Sequence, residues 1–259
     1  MNKYLITTLL GILLFPSTLP AEDRLHIKSS IESIDIYTEH YPPHNMKIDG
    51  KLTGLSVEIL DAMFRQMKFP NTIDDIKLTN WSRAYTIAMK KKNAMVFSTT
   101  RTESREPLFK WVGPIISTEV GIIAPKSKKI VINKLSDLNN YKIGAVLKDV
   151  GELLLLDQGV NKNQIFHVDG KDAINLSFKK MQKNRIDMFS YNIGVAFANA
   201  KLEGFDTSKF EVVYTLKKAD LYYAFNKHTD DKTISYWQNA LDMVKEKGIY
   251  DSILKKYYP

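Results

Sequence analysis

The chain has 259 residues, of which 44% are hydrophobic and 25% charged, a globular composition. With no cysteine it can carry neither a disulfide nor a lipid-modified N-terminal cysteine, so its core alone must hold it together. Its formal charge of +8 favours anions in general, but the lysines are scattered and no zinc finger, basic helix or RNA-reading aromatic strand is present, which argues against nucleic acid as a partner.

Residues 1–21 carry Lys3, an apolar run from Tyr4 to Phe15, the helix breakers Pro16 and Pro20, and small Ala21. This reads as a cleaved secretory signal peptide. The apolar run is shorter than the roughly 20 residues that span a bilayer, and no later segment can span one. Cleavage at Ala21 leaves about 238 residues, enough for one large domain or two modest ones. Leu19 fits the small-residue rule before the cleavage site imperfectly, so the signal is better marked than its end.

Ser33 to Thr38 alternate like a first strand, and the turn signals Pro42-Pro43 and Asp49-Gly50 follow. A helix is expected over about Leu55 to Met67, with Leu55, Ile59, Leu60, Met63, Phe64 and Met67 on its apolar face. Asn80 or Ser82 starts a second helix, which places Trp81, Ala84, Tyr85, Ala88 and Met89 at helical spacing and ends at Lys92-Asn93. The four apolar residues Ala94 to Phe97 then read as a buried parallel strand whose carboxyl end opens on Ser98, Thr99 and Thr100. With Thr102 or a neighbour as N-cap, Glu103 to Phe109 can start a helix. Two readings of this stretch stand side by side. Hydroxyls, helix amides and the Arg105 guanidinium can converge on a carboxylate-sized anion; or the hydroxyls merely cap a helix and Arg105 makes a surface ion pair.

Ile115 to Pro125 and Asp220 to Asn226 read as extended stretches that leave one lobe and return to it. Ile234 to Tyr257 is helical, and Gly248 divides it in two. The segments Met89 to Thr100 and Met181 to Asn192 echo each other, each a helix end, a short strand and a polar tip, as two similar lobes facing one cleft would require. Strand, helix and strand alternate throughout, which predicts α/β lobes with mainly parallel sheets flanked by helices. Two crossings between lobes make a hinge that can close on a ligand.

Several short stretches together resemble the family 3 extracellular solute-binding proteins, over nearly all of the mature chain. They are Tyr41-Pro42-Pro43, Thr53-Gly54-Leu55-Ser56-Val57-Glu58-Ile59-Leu60, Ser98-x-Thr100-x-x-Glu103-x-Arg105, Ser136-Asp137-Leu138 before Ile143-Gly144, Arg185-Ile186-Asp187, and Lys247-Gly248-Ile249-Tyr250-Asp251. The resemblance implies the two-lobed type II periplasmic binding fold, with residues 22–118 and 219–259 in lobe 1 and 119–218 in lobe 2. By position it makes Arg105 the holder of a ligand carboxylate, with Ser98 and Thr100 beside it and Tyr41 and Trp81 as aromatic walls. A guanidinium can grip a carboxylate with two hydrogen bonds, which suits that role.

The chain also departs from the family pattern. Amino-acid binders of the family place an aspartate after the Arg-x-Asp strand to take the ligand ammonium; here that position is Asn192. The loop after Ile143-Gly144-Ala145-Val146 reads Leu147-Lys148-Asp149-Val150-Gly151 where Gly and Thr are usual. Lys148 or Asp149 can contact ligand there, or simply cap the helix over Gly151 to Leu156. If the ligand carries an ammonium, Glu39, Glu119 and Asp149 are the candidate partners by location.

The expected function is a monomeric periplasmic receptor for a small carboxylate-bearing solute, an amino acid or a relative of one, docking on an inner-membrane ABC permease. No cofactor or metal is expected. Two alternatives use the same fold: an exported enzyme like the cyclic-acid dehydratases, needing a general acid or base such as Glu39, His40 or His44, and a ligand-sensing partner of a membrane receptor. No nucleophile elbow, metal motif or phosphate loop supports the enzyme.

Overall fold

The computed structural model describes residues 34–170 and 172–258; the expected signal peptide, residues 1–21, and Ser33 lie outside the described residues. The first part of the chain lays down β1 (Asp35–Thr38), a hairpin of β2 (Met46–Ile48) and β3 (Lys51–Thr53), helix α1 (Leu55–Met67), β4 (Lys77–Leu78), α2 (Trp81–Lys90) and β5 (Ala94–Thr100). Apolar spacing fixes the helices. α1 buries the face that its sequence marks, and the Asn80 side chain caps α2 by accepting from the Arg83 amide at 3.0 Å.

β6 (Phe109–Pro125) leads into β7 (Ile143–Val146), α3 (Val150–Asp157), β8 (Ile165–Val168), α4 (Ala173–Gln182), β9 (Met188–Asn192) and α5 (Ile193–Leu202). β10 (Phe210–Asn226) returns to the terminal helices α6 (Asp231–Glu246) and α7 (Ile249–Tyr257). Gly248, at φ +69°, makes the break between those two helices, a left-handed turn that glycine takes without penalty.

Eight strands join in one sheet, ordered β4-β1-β5-β10-β6-β9-β7-β8. β1 pairs in parallel with β4 and β5, and β7 pairs in parallel with β8 and β9. β10 and β6 run between these groups, antiparallel to each other along their whole length. β5 lies against β10 as β9 lies against β6, so the two central strands hold equivalent places. That equivalence accounts for the echo between Met89 to Thr100 and Met181 to Asn192. The result is a two-lobed fold, each lobe mainly parallel and flanked by helices, with β6 and β10 as its two crossings.

Two sequence expectations are corrected. Glu103–Leu108 is a 3₁₀ segment rather than an α-helix. Pro107 lies inside it and has no N–H to continue an α-helical ladder, and Thr102 makes no side-chain capping bond. The crossing strands are also longer than the extended stretches 115–125 and 220–226, at 17 residues each. Their middle portions are only partly covered, and Ser117, Thr118 and Glu119 lie in the ladder, within the stretch 115–125 read as extended. Register shifts at Val212/Tyr214, Thr215/Lys217 and Leu221/Tyr223 bend the ribbon.

Packing holds the lobe ends in place. Trp237 of α6 is fully buried and meets Phe64, Phe69 and Phe225 edge-on at 6.0, 5.4 and 5.1 Å. In the other lobe Gly151 seats the start of α3 directly on β9: a Cβ there would lie 2.4 Å from the Ser190 carbonyl oxygen, and the Ser190 hydroxyl donates to the Gly151 carbonyl at 2.9 Å.

His44, in the loop after β1, is 1% exposed and lies beside the rings of Tyr41 and Tyr258. Burial lowers its pKa to about 4. The neutral ring is therefore a stabilising choice above the unfolded value near 6.5, and that contribution is lost as pH falls toward 4. The loss should be on the order of 3 kcal/mol. Urea unfolding at both ends of this window should show a smaller acid loss for His44→Phe than for the parent; equal losses would contradict the buried neutral histidine.

Candidate functional site

The loops at the carboxyl ends of β1, β5, β7 and β9 meet between the lobes, where open α/β sheets hold their ligands. Arg105 lies at the centre of this meeting. It is 1% exposed, and its guanidinium donates through Nη1 to the Thr100 carbonyl at 3.0 Å and through Nη2 to the Lys148 carbonyl at 2.9 Å. Its Nε has no partner. The guanidinium carbon lies over the rings of Trp81 and Tyr85, at 5.2 and 5.1 Å. Those two residues are four apart on α2, so one helix face presents both rings to the cation.

The turn after β7 reaches this group from the other lobe. Lys148 stands at φ +62°, a left-handed conformation that side-chain-bearing residues seldom adopt. Its carbonyl also accepts from Trp81 Nε1 at 2.9 Å, and its Nζ donates to Thr86 Oγ1 at 2.9 Å. Of the two readings of Lys148 and Asp149, capping holds for Asp149, whose carboxylate accepts from the Gly151 amide at 3.1 Å at the start of α3. Lys148 instead contributes its backbone to the cleft.

The remaining sequence candidates divide. Tyr41, 2% exposed, packs edge-on against Tyr191 of β9 at 5.7 Å and so joins the two lobes in an aromatic floor. Thr100 offers its carbonyl to Arg105. Ser98, at φ +58°, turns its hydroxyl away from the guanidinium to Asn45 and Ser56, at 2.5 and 2.9 Å. The Asn192 side-chain oxygen caps α5 by accepting from the Val195 amide at 3.1 Å. Its Nδ2 is buried without a hydrogen bond of acceptable geometry, although the Tyr41 hydroxyl is close enough to interact with it. Glu119 lies apart, exposed and paired with Lys218 at 2.9 Å.

Beside this cluster is a cavity of about 380 Å³ lined from both lobes. Among the described residues, Glu39, Asp172 and Glu203 line it with Asn80, Asn175, Asn199 and Lys47. His40 lies at its wall, with Nε2 3.2 Å from Asn199 Oδ1 of α5. Across the rim, the Ser82 hydroxyl donates to Asp169 at 3.1 Å. Burial, reinforced by the Asp149 charge, raises the Glu39 pKa well above the usual carboxylate value, while Arg105 works in the opposite direction. Burial raises Asp149 too, again opposed by Arg105. Glu39 and Asp149 are thus both within electrostatic reach of the buried arginine.

Tyr85, Tyr191, Asn175 and Asn199 escaped the sequence reading as site residues. For Tyr85 a signal existed, since it follows Trp81 by four on the same helix; Asn175 and Asn199 are joined only by tertiary packing, amide to amide at 2.6 Å. Among the described residues no group of three or more His, Cys, Asp or Glu is placed to hold a metal ion, and no helix is long and apolar enough to cross a membrane.

The family profile described as bacterial extracellular solute-binding proteins, family 3, matches residues 34–259. A curated relative, the probable histidine-binding protein of Campylobacter jejuni, is 24% identical over 224 residues, covering 84% of this chain and 81% of that protein. Among solved structures, an ABC uptake transporter substrate-binding protein from Streptococcus pneumoniae with bound histidine superposes with a TM-score of 0.73 at 14% identity, over 92% of this chain and 96% of that one. A histidine kinase sensor domain with similarity to periplasmic binding proteins gives 0.75 at 15% identity, over 87% and 96%. At such identities the structures establish the shared fold.

Because the folded state holds a proton on Glu39 above the usual carboxylate pKa, it binds more protons than the unfolded chain in that window, and stability falls as pH rises through it. Glu39→Gln should flatten this slope. Melting temperatures of the parent and variant across mildly acidic to neutral pH would test it, and parallel curves would show that Glu39 is not the group responsible.

Proposed function

Since the chain belongs to the bacterial extracellular solute-binding proteins, family 3, we propose that it is an exported receptor that captures a small solute between its lobes and passes it to an ABC permease. The solute carries a carboxylate and a cationic group, as a basic amino acid or a close relative does. The observation that carries this reading is the placement of a buried guanidinium, Arg105, next to an acid-lined cavity in the same cleft. A carboxylate can bind the guanidinium of Arg105, and Glu39, Asp172 and Glu203 offer the complementary end for a cation.

Asn192 bears no charge to meet an ammonium, whereas Glu39 and Asp149 both feel the charge of Arg105. They take over the role that an aspartate fills elsewhere in the family. Tyr41, Trp81 and Tyr191 supply rigid aromatic walls, which shape a pocket at low entropic cost. Lobe 1 comprises residues 22–118 and 219–259, and lobe 2 residues 119–218, so that β6 and β10 carry the hinge. The receptor acts as a monomer in the periplasm after removal of residues 1–21. The names of the histidine-binding relatives agree with a basic amino acid as solute. The similarity to a histidine kinase sensor domain supports a second reading, in which the closed receptor touches a membrane sensor rather than a permease.

A thermal-shift panel of the mature protein should include basic, neutral and acidic amino acids and amines without a carboxylate. A solute at 100 times its dissociation constant adds about 2.7 kcal/mol to stability. Arg105→Lys keeps the charge but loses the planar fork, and should weaken a hit roughly tenfold to a hundredfold by calorimetry; unchanged affinity would sink the carboxylate role. Asn192→Asp keeps an oxygen to cap α5 and adds a negative charge, so it should tighten any solute with an ammonium. An unchanged or weaker affinity for such a solute would place the ammonium elsewhere.

A further inference from the structure

Lys148 makes contacts across the cleft that neither a helix cap nor a surface lysine requires. Its carbonyl accepts at once from Arg105 Nη2 and Trp81 Nε1, and its side chain reaches Thr86 of α2. All three partners belong to the opposite side of the cleft. The backbone at Lys148 is left-handed, and such strain persists only where the surroundings over-determine it. What determines it is Glu152, 8% exposed in the first turn of α3. One carboxylate oxygen of Glu152 accepts from the Lys148 amide at 2.5 Å, and the other pairs with His167 Nε2 of β8. The amide of Lys148 is thus tied down within its own lobe while its carbonyl points into the other.

We propose that the Lys148 turn is a built-in latch: its carbonyl takes the place at Arg105 that a solute carboxylate would take, and Glu152 is the positioning residue that aims it. The lobes then close without solute, and solute binding is an exchange of carboxylate for carbonyl at Nη2. The chemistry is balanced, because one acceptor replaces another on the same donor and Thr100 keeps Nη1 throughout. The contacts of His40 with Asn199 and of Ser82 with Asp169 flank the latch and add to closure. A latched population lowers the apparent affinity for a solute by the fraction of molecules that must first release it. The assignment rests on the cleft being the solute site of the proposed receptor.

The chain has no cysteine, so spin labels at Lys51→Cys and Lys201→Cys, both exposed and on opposite lobes, report the interlobe distance without further changes. Pulsed electron paramagnetic resonance is run on mature protein stripped of solute by unfolding and refolding. The parent should give a short, narrow distribution. Glu152→Ala should shift it to longer distances, as should Trp81→Phe, which deletes one donor and keeps a ring, while Glu152→Gln, which retains an acceptor, should stay near the parent. A long distance in the parent, or unshifted distances in both Trp81→Phe and Glu152→Ala, would overturn the latch. If Glu152→Ala does not fold, Trp81→Phe decides the matter. Because no solute enters the measurement, a failed solute panel with shifted distances would count against the receptor reading and leave only the closure through Lys148 standing, without its role in solute exchange.

Discussion

The guanidinium of Arg105 is 1% exposed, and taking such a charge out of water costs several kcal/mol unless the surroundings replace its hydration. The replacement comes from several elements at once. β5 gives the Thr100 carbonyl, the turn after β7 gives the Lys148 carbonyl, and α2 gives the faces of Trp81 and Tyr85. The carboxyls of Glu39 and Asp149 feel the same cation, which opposes the upward push that burial gives their pKa values. Since the Lys148 carbonyl reaches Arg105 from the second lobe, the cation is best satisfied when the lobes are together. The same charge therefore ties the chemistry of the cleft to its closure.

The frame that permits such closure is the antiparallel ribbon of β6 and β10. Each strand is hydrogen-bonded into a lobe near one end and leaves its middle partly uncovered. Repeated register shifts there give the ribbon a bend that a regular ladder would resist. A hinge made of two continuous strands can flex while the pairing within each lobe stays intact. Loops from both lobes can then meet over the cavity without any change in the sheet order.

The acids of the cleft are expensive in the same sense as the arginine. Burial raises both Glu39 and Asp149, and the Asp149 charge raises Glu39 further. The neutral amide of Asn192 fits this scheme, because a further carboxylate there would add to the same repulsion. Asn192 instead fixes the start of α5.

Much of this was legible in the chain itself. The apolar spacing from Leu55 to Met67 and from Trp81 to Met89 determines the two helices, and the Ala94 to Phe97 run determines a buried strand, because side-chain periodicity and burial act over a few neighbouring residues. The motif Ser98-x-Thr100-x-x-Glu103-x-Arg105 marks the arginine in the sequence alone. Local pattern could not tell that Ser98 turns to Asn45, that Pro107 tightens its segment to a 3₁₀ form, or that the crossing strands begin as early as Phe109 and Phe210. Nor could it show that the carbonyl of Lys148, rather than its charge, meets Arg105 and Trp81. A backbone carbonyl has no residue-type signature, and its direction is set by packing between segments far apart in the chain. The sequence by itself determined the elements and the kinds of groups available; only the tertiary structure decided which of those groups face each other across the cleft.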